Sequence, residues 1–248
     1  MNKLKINYVV GDVCQPQGDG KKLIVHCCNN IGAFGAGVAL AIAKNFPMAK
    51  VSYKHWFMVS QSLGEKLPLG EVQFIQINDN ITIANLIGQD GVGFQGNRPP
   101  IRYDAINDGM IKIFEYAQKN NFEIHMPFLG CGLAGGSWGN IEGILQETWE
   151  YFHQNKSMGK LDVFVYKLPH EANQLLKEFD SYSLDLLYEI SLNPNDELDE
   201  SDYDTFDWLA EFNLIGFDEY SQDSDCWITN LGKYILQLHH KENEQFSR

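Results

Sequence analysis

The stretch LGCGLAGGSWGN, Leu129 to Asn140, spaces Gly130, Gly132 and Gly135 as G-x-G-x-x-G. A loop of this kind lets backbone N–H groups approach an anion closely, because no Cβ stands between them. A second stretch, NNIGAFGAGVALAI, carries Gly32, Gly35 and Gly37. Each stretch follows an apolar run and precedes a helix-forming one. Neither has a Lys or Arg between strand and helix, so an anion there would be held by N–H groups and helix N-termini. His26, in KLIVHCC, adds a side chain whose ordinary pKa of about 6.5 suits proton transfer. Cys27 and Cys28 point to opposite faces of that strand, so His-Cys-Cys is a poor metal set, and no metal or cofactor is expected. Cys28 shares a face with His26.

One G-x-G-x-x-G also suggests a Rossmann dinucleotide loop. That fold needs an acidic residue about 20 residues on, at the end of the next strand. Here that distance lands on Glu150, inside a helical run, and the following strand ends at Lys167. The fingerprint also falls in the last strand–helix unit rather than the first. The two loops together fit a shared polyphosphate better than they fit a nicotinamide dinucleotide.

The elements that must position these loops alternate. LKINYVV, KLIVHCC, EVQFIQIND, NITIANLIG, FEIHMPFL and LDVFVYKL read as strands. KLIVHCC is apolar nearly throughout, as a strand buried on both faces should be. EVQFIQIND and NITIANLIG meet at Asn78-Asp79-Asn80, a hairpin signal, so the sheet should be mixed. GVALAIAKNF, AKVSYKHWFMVSQ, DAINDGMIKIFEYAQKNN and NIEGILQETWEYFH read as helices. In the third, Ile106, Met110, Ile113 and Ala117 recur at helical spacing. The order predicts an α/β fold with helices over a sheet.

Composition and charge bound the class. Hydrophobic residues make up 44% of the 248, enough for a sizeable core. No run approaches the roughly 18 unbroken apolar residues of a membrane span, so no membrane partner is expected. The first residues lack the pattern of a secretory leader. The five cysteines are odd in number and lack CxxC spacing. A disulfide framework is therefore not expected, and the cytoplasm is the expected compartment. The net charge of −14 is unevenly placed. Residues 1–170 hold 15 Lys and Arg against 14 Asp and Glu, and residues 171–248 hold 4 against 19. The expected division is therefore 1–168 and 169–248, near Pro169.

Several motifs carry a resemblance. GDV, VHCCNNIGAFGAGVALAIAKNFPMA, LGEVQFIQINDNITIANLIGQ, PPIRYDAI and MPFLGCGLAGGSWGNIE, in that order over residues 4–168, resemble the macrodomain family. They are similar in particular to its ADP-ribose 1''-phosphate processing branch, which includes glutamate de-ADP-ribosylases. The resemblance implies a three-layer α/β/α fold around a six-stranded mixed sheet, with a cleft for ADP-ribose. Asp12 matches the aspartate that accepts a hydrogen bond from the adenine amino group. Asn29 matches an asparagine near the outer ribose, with Asn30 beside it. Gly35, Ala36 and Gly37, with Val38, match the first phosphate loop. Leu133, Ala134, Gly135, Gly136 and Ser137 match the second, after Gly130, Cys131 and Gly132. Phe34 is expected near the outer ribose. His26 matches a histidine of phosphatase-like members.

Departures are equally specific. Where one hydrolase class carries an aspartate in a GGGVD loop, this chain has Ala39. Where glutamate de-ADP-ribosylases carry a lysine and an aspartate, it has Gln89 and Ala134. The expected activity is hydrolysis of ADP-ribose 1''-phosphate to ADP-ribose and phosphate, with His26 as general acid–base and Asn29 holding the ribose. The alternatives are removal of ADP-ribose from a modified macromolecule, and binding of ADP-ribose without chemistry.

Residues 169–248 form a small acidic α+β module in this reading. HEANQLLKEFDSYSLDLLYEI reads as one amphipathic helix, NPNDELDESDYD as a linker and YDTFDWLAEFN as a short helix. LIGFDEYSQDSDCWIT reads as a hairpin and NLGKYILQLHH as a closing helix. Helix, hairpin, helix suggests a winged-helix module or a lid over the cleft. Duplex DNA is not an expected partner for this charge, since DNA binding needs Lys and Arg against phosphate. The aromatics Trp208, Phe212 and Trp227 argue for a folded module.

Overall fold

Six apolar runs become strands of one sheet. The chain is described by a computed structural model over residues 4–155, 159–193, 199–217 and 226–246. The strands are β1 (Ile6–Val10), β2 (Lys21–Asn29), β3 (Val72–Gln76), β4 (Ile81–Gln89), β5 (Phe122–Pro127) and β6 (Val163–Lys167). Their order is β1-β6-β5-β2-β4-β3. β2 runs parallel to both β4 and β5, and β3 runs antiparallel to β4, so the sheet is mixed. The β3–β4 turn is set by Asn78, whose Oδ1 accepts the N–H groups of Asn80 and Ile81, each at 2.9 Å. That side chain does locally what a turn's backbone would do.

Four helices cover the sheet: α1 (Gly37–Asn45), α2 (Pro47–Ser62), α3 (Tyr103–Asn120) and α4 (Trp138–Asn155). Pro47 ends α1 and opens α2, since its missing N–H costs nothing at a first helical position. The pleat of β2 sends His26 and Cys27 to opposite faces. His26 bonds Asn85, whose amide donates to Ala49 O of α2 at 3.2 Å. Cys27 lies across from it, where Gly88 leaves just enough room for its sulfur and for Ile106 of α3. Helices therefore pack on both faces, giving the three-layer α/β/α arrangement. β2 and β4 are buried along most of their length, as doubly covered strands must be.

The chain divides into two compact units. One is built on Val13–Val165 and holds both glycine loops. The other joins Asn7–Asp12 to the chain from Tyr166 onward. In it, α5 (Pro169–Leu175), α6 (Ser181–Leu192) and α7 (Tyr203–Glu211) precede β7 (Ile215–Phe217), antiparallel β8 (Cys226–Ile228) and α8 (Asn230–Phe246). The single helix expected from His170 is broken in two. Asp180 accepts the Ser183 N–H at 2.8 Å and its hydroxyl at 2.6 Å, a side-chain cap that starts a new helix there. Phe179, Trp208 and Phe212 pack ring on ring, with centroids 5.0–5.6 Å apart. Tyr8 donates to Asn213 Oδ1 at 2.7 Å within the same unit. Part of the expected linker (194–198) and the expected hairpin turn (218–225) lie outside the described residues.

Candidate functional site

Strands β5, β2 and β4 are neighbours and parallel, so the segments leaving their C-terminal ends emerge side by side. Ligands of open α/β sheets bind at such strand ends. The three segments are the first glycine loop after Asn29, the stretch 90–102 after Gln89, and the second glycine loop after Pro127.

Asn29 builds the first loop. Its Oδ1 accepts N–H groups from Ile31 at 3.1 Å and Ala33 at 3.0 Å, and its Nδ2 donates to Ala33 O at 2.7 Å. The Tyr53 hydroxyl, held protonated by burial, donates to Asn29 O at 2.7 Å. Asn29 is thus a buried brace under the loop. Phe34, expected near a ribose, points inward instead. It is 4% exposed and packs edge-on to His26 and against Tyr53. These anchors leave Gly35, Ala36 and Gly37 at the surface, with Val38 half-buried in the first turn of α1. No side chain caps that helix, and Ala36 at its N-cap has nothing to offer. Its first N–H groups are therefore open to an anion.

The second loop is folded on itself. Gly135 N–H donates to Gly132 O and Gly136 N–H to Gly130 O, each at 2.9 Å. Cys131 N–H donates to Phe128 O at 3.1 Å, and Ser137 N–H to the Tyr103 hydroxyl at 2.8 Å. Among the described residues, the N–H groups of Gly132, Leu133 and Ala134 have no internal partner. Leu133 is exposed, and a Cβ on Gly37 would sit 3.5 Å from its Cδ1, so the two glycine loops approach each other.

His26 is not at the mouth of these loops. It is 1% exposed, and its Nε2 lies 2.6 Å from Asn85 Oδ1. Because Oδ1 can only accept, Nε2 carries the proton. Burial pushes its pKa down to about 4, against the lesser pull of the Asn85 bond. The ring is neutral at pH 7 and has no charge-bearing proton to give. Cys28 lies 3.7 Å from its Nδ1. Burial pushes the Cys27 thiol up to about 12 and holds Cys28 well above its ordinary range, so neither is a thiolate. No cluster of three or more His, Cys, Asp or Glu that could hold a metal occurs among the described residues.

The adjoining stretch after β4 carries a carboxylate, Asp90, which the glycine motifs did not announce. It follows β4 directly. Asn30, beside the brace Asn29, donates through Nδ2 to Asp90 Oδ1 at 3.0 Å and accepts the Gly91 N–H at 2.9 Å. Lys66 Nζ and Arg102 Nη2 each stand 3.4 Å from the carboxylate. Asn30, then Lys66 and Arg102, hold its carboxyl below the ordinary carboxylate value despite partial burial. Arg102 is itself fixed on Pro99 O and Ile101 O, at 2.7 and 2.8 Å. Ile101 N–H donates to Ala134 O at 3.3 Å, which ties this stretch to the second loop. The available signal was the acid of NLIGQD, at the end of a buried strand. Asp12, also sought as a site residue, follows β1 in the other unit and is half-buried.

Comparison with known proteins defines the class. No family model matches the chain. A solved macrodomain protein from Streptomyces coelicolor is 31% identical, with a TM-score of 0.54 over 66% of this chain and 99% of its own. The chain belongs to the macrodomain family. Among curated relatives, the ADP-ribose 1''-phosphate phosphatase of Candida albicans is 29% identical over 149 residues, covering 57% of this chain and 92% of that one. The chromodomain-helicase-DNA-binding protein 1-like of Danio rerio is 27% identical over 154 residues, and this chain spans 14% of its length.

Proposed function

We propose that the protein binds ADP-ribose between its two glycine loops and hydrolyses ADP-ribose 1''-phosphate to ADP-ribose and inorganic phosphate. The observation that carries this is Asp90, held as a carboxylate by Asn30, Lys66 and Arg102 on a stretch that Ile101 ties to the second glycine loop, where the N–H groups of Gly132, Leu133 and Ala134 have no internal partner among the described residues. The name of the Candida albicans relative supports the substrate.

Asp90 takes over the acid–base role expected of His26. Water oxygen forms a bond to phosphorus as the bond from phosphorus to the 1''-oxygen breaks. Asp90 accepts the water's proton, and the departing oxygen ends as a hydroxyl by taking a proton back. N–H groups of the second loop stabilise charge developing on the phosphoryl oxygens, where fixed dipoles act without reorganisation. Lys66, exposed beside Asp90, offsets the charge of two anions brought together. His26 serves as a neutral packing and hydrogen-bonding group under Phe34.

Release of ADP-ribose from a macromolecule through a covalent lysine is disfavoured. Gln89 stands where the lysine would act, its Nε2 3.5 Å from Cys27 O, and Ala134 offers only a methyl group where the aspartate would act. The test measures phosphate and ADP-ribose release side by side from ADP-ribose 1''-phosphate and from ADP-ribosylated peptide. Phosphate from the first and no ADP-ribose from the second supports the reading. The reverse result overturns it.

A further inference from the structure

Helix α2 is apolar on two opposite sides. Ala49 and Tyr53 are buried on the side that meets the sheet, where Ala49 O accepts from Asn85 and Tyr53 donates to Asn29. On the far side, Met48, Val51, Met58 and Val59 follow helical spacing, with His55 between them. These four apolar side chains are 48–65% exposed. A surface helix ordinarily turns polar residues outward. A single exposed hydrophobic needs no explanation, but an aligned row marks an interaction face.

The row also carries a sign. α1 and α2 hold Lys44, Lys50 and Lys54 and no Asp or Glu. Lys50 and Lys54 are exposed, one turn apart, along one edge of the row. No described residue forms an ion pair with either. Packing α2 on α2 of another copy would set these lysines against their own kind, which costs affinity. The occupant must be apolar and acidic.

The second unit carries such a surface. α6 buries Leu184, Leu186, Leu187 and Ile190. Its outward residues are Tyr182, Asp185, Tyr188, Glu189 and Leu192. The two tyrosines and Leu192 are 43–59% exposed. Asp185 and Glu189 stand one turn apart, the interval that separates Lys50 from Lys54. The row from Met48 to Val59 runs about 17 Å, and that from Tyr182 to Leu192 about 15 Å, at the rise of an α-helix. The two faces match in length, in apolar character and in opposite charge.

We propose that α2 of one copy of this chain docks on α6 of a second copy. The Met and Val row packs on Tyr182, Tyr188 and Leu192, and Lys50 and Lys54 meet Asp185 and Glu189. Because both charge pairs are spaced i, i+4, they align whichever way the helices run.

Sedimentation equilibrium of the full chain over a range of concentrations tests this. The wild type is expected to reach twice the monomer mass as concentration rises and to return toward monomer as salt screens the pairs. Lys50→Glu with Lys54→Glu, or Asp185→Lys with Glu189→Lys, should weaken association by about tenfold, the scale of two exposed pairs lost. Combining all four substitutions should restore it, which no loss of fold could do. Val51→Asp should weaken it through the apolar row. All these sites are exposed, so the melting temperatures should hold. A wild type that stays monomeric overturns the inference. So does association that ignores the reversals or is not restored by combining them. Vesicles of phosphatidylcholine with phosphatidylserine are tested alongside. Binding of a monomeric wild type to them, lost in Lys50→Glu with Lys54→Glu, would assign the face to an anionic membrane and overturn the inference too.

Discussion

His26 and Asn85 face each other across β2 and β4 as register partners, with Nε2 and Oδ1 2.6 Å apart. The bond fixes a neutral imidazole inside the sheet, with a pKa near about 4 against an ordinary 6.5. A pKa lowered on folding means that the unfolded chain binds the proton more readily. The stabilising contribution is full above pH 6.5 and is lost as pH falls toward 4. For a shift of this size it amounts to about 3 kcal/mol. The melting temperature should fall across that window. In His26→Gln, which keeps a donor for Asn85 and removes the titration, it should fall less. Identical acid profiles for the two proteins would show that His26 does not carry this effect.

Asp90→Asn should lower turnover of ADP-ribose 1''-phosphate by about 10²–10⁴-fold, the usual cost of a missing general base. Affinity for ADP-ribose, measured by calorimetry, should be retained. Because Asn30, Lys66 and Arg102 hold the carboxyl below its ordinary 3.8, the base form persists in mild acid. The acidic limb of wild-type kcat should lie below that value. A limb near 6.5 would return the role to a histidine.

Two glycines should separate folding from binding. Gly35 has an ordinary φ and open space where its Cβ would be. Gly35→Val should leave the melt unchanged and abolish ADP-ribose binding by filling the anion's place. Gly135 has φ of +68° and Phe94 against it. Gly135→Ala should cost about 1–2 kcal/mol from the left-handed backbone alone and weaken binding as the second loop is displaced. Thermal melts and titrations of both variants check this. Retained binding in Gly35→Val would remove the first loop from the site.

The second unit gives a further expectation. The charge break and the motif resemblance end together near Pro169, so residues 1–168 should melt cooperatively and bind ADP-ribose with wild-type affinity. The Tyr8 hydroxyl loses Asn213 in that truncation, and a modest drop in melting temperature should follow. A collapse of affinity would make the acidic segment part of the binding machinery.

Much of the fold was legible because strand runs such as KLIVHCC are apolar on both faces and the Asn78 turn announces itself. The glycine loops were legible through spacing and the lack of side chains. The helix break at Asp180 was not, since Leu175, Phe179, Leu186 and Ile190 keep a helical apolar spacing across a side-chain cap. His26 was read as a site residue because its position in the motif does not reveal its depth, which Phe34, Tyr53 and Asn85 set from elsewhere in the chain. Asp90 and Arg102 are 12 residues apart and separated by a turn-rich stretch. The pairing of Gln89 with Ile101, with the Asp90 N–H bond to Pro100 O and the Arg102 N–H bond to Gly88 O, brings them together.

The most direct measurement is inorganic phosphate released from ADP-ribose 1''-phosphate by purified wild-type protein, run beside Asp90→Asn. The account predicts steady turnover by the wild type, giving one ADP-ribose for each phosphate, and its loss in the variant. Tight binding of ADP-ribose with phosphate release no faster than in buffer would contradict it and make the protein a binding module.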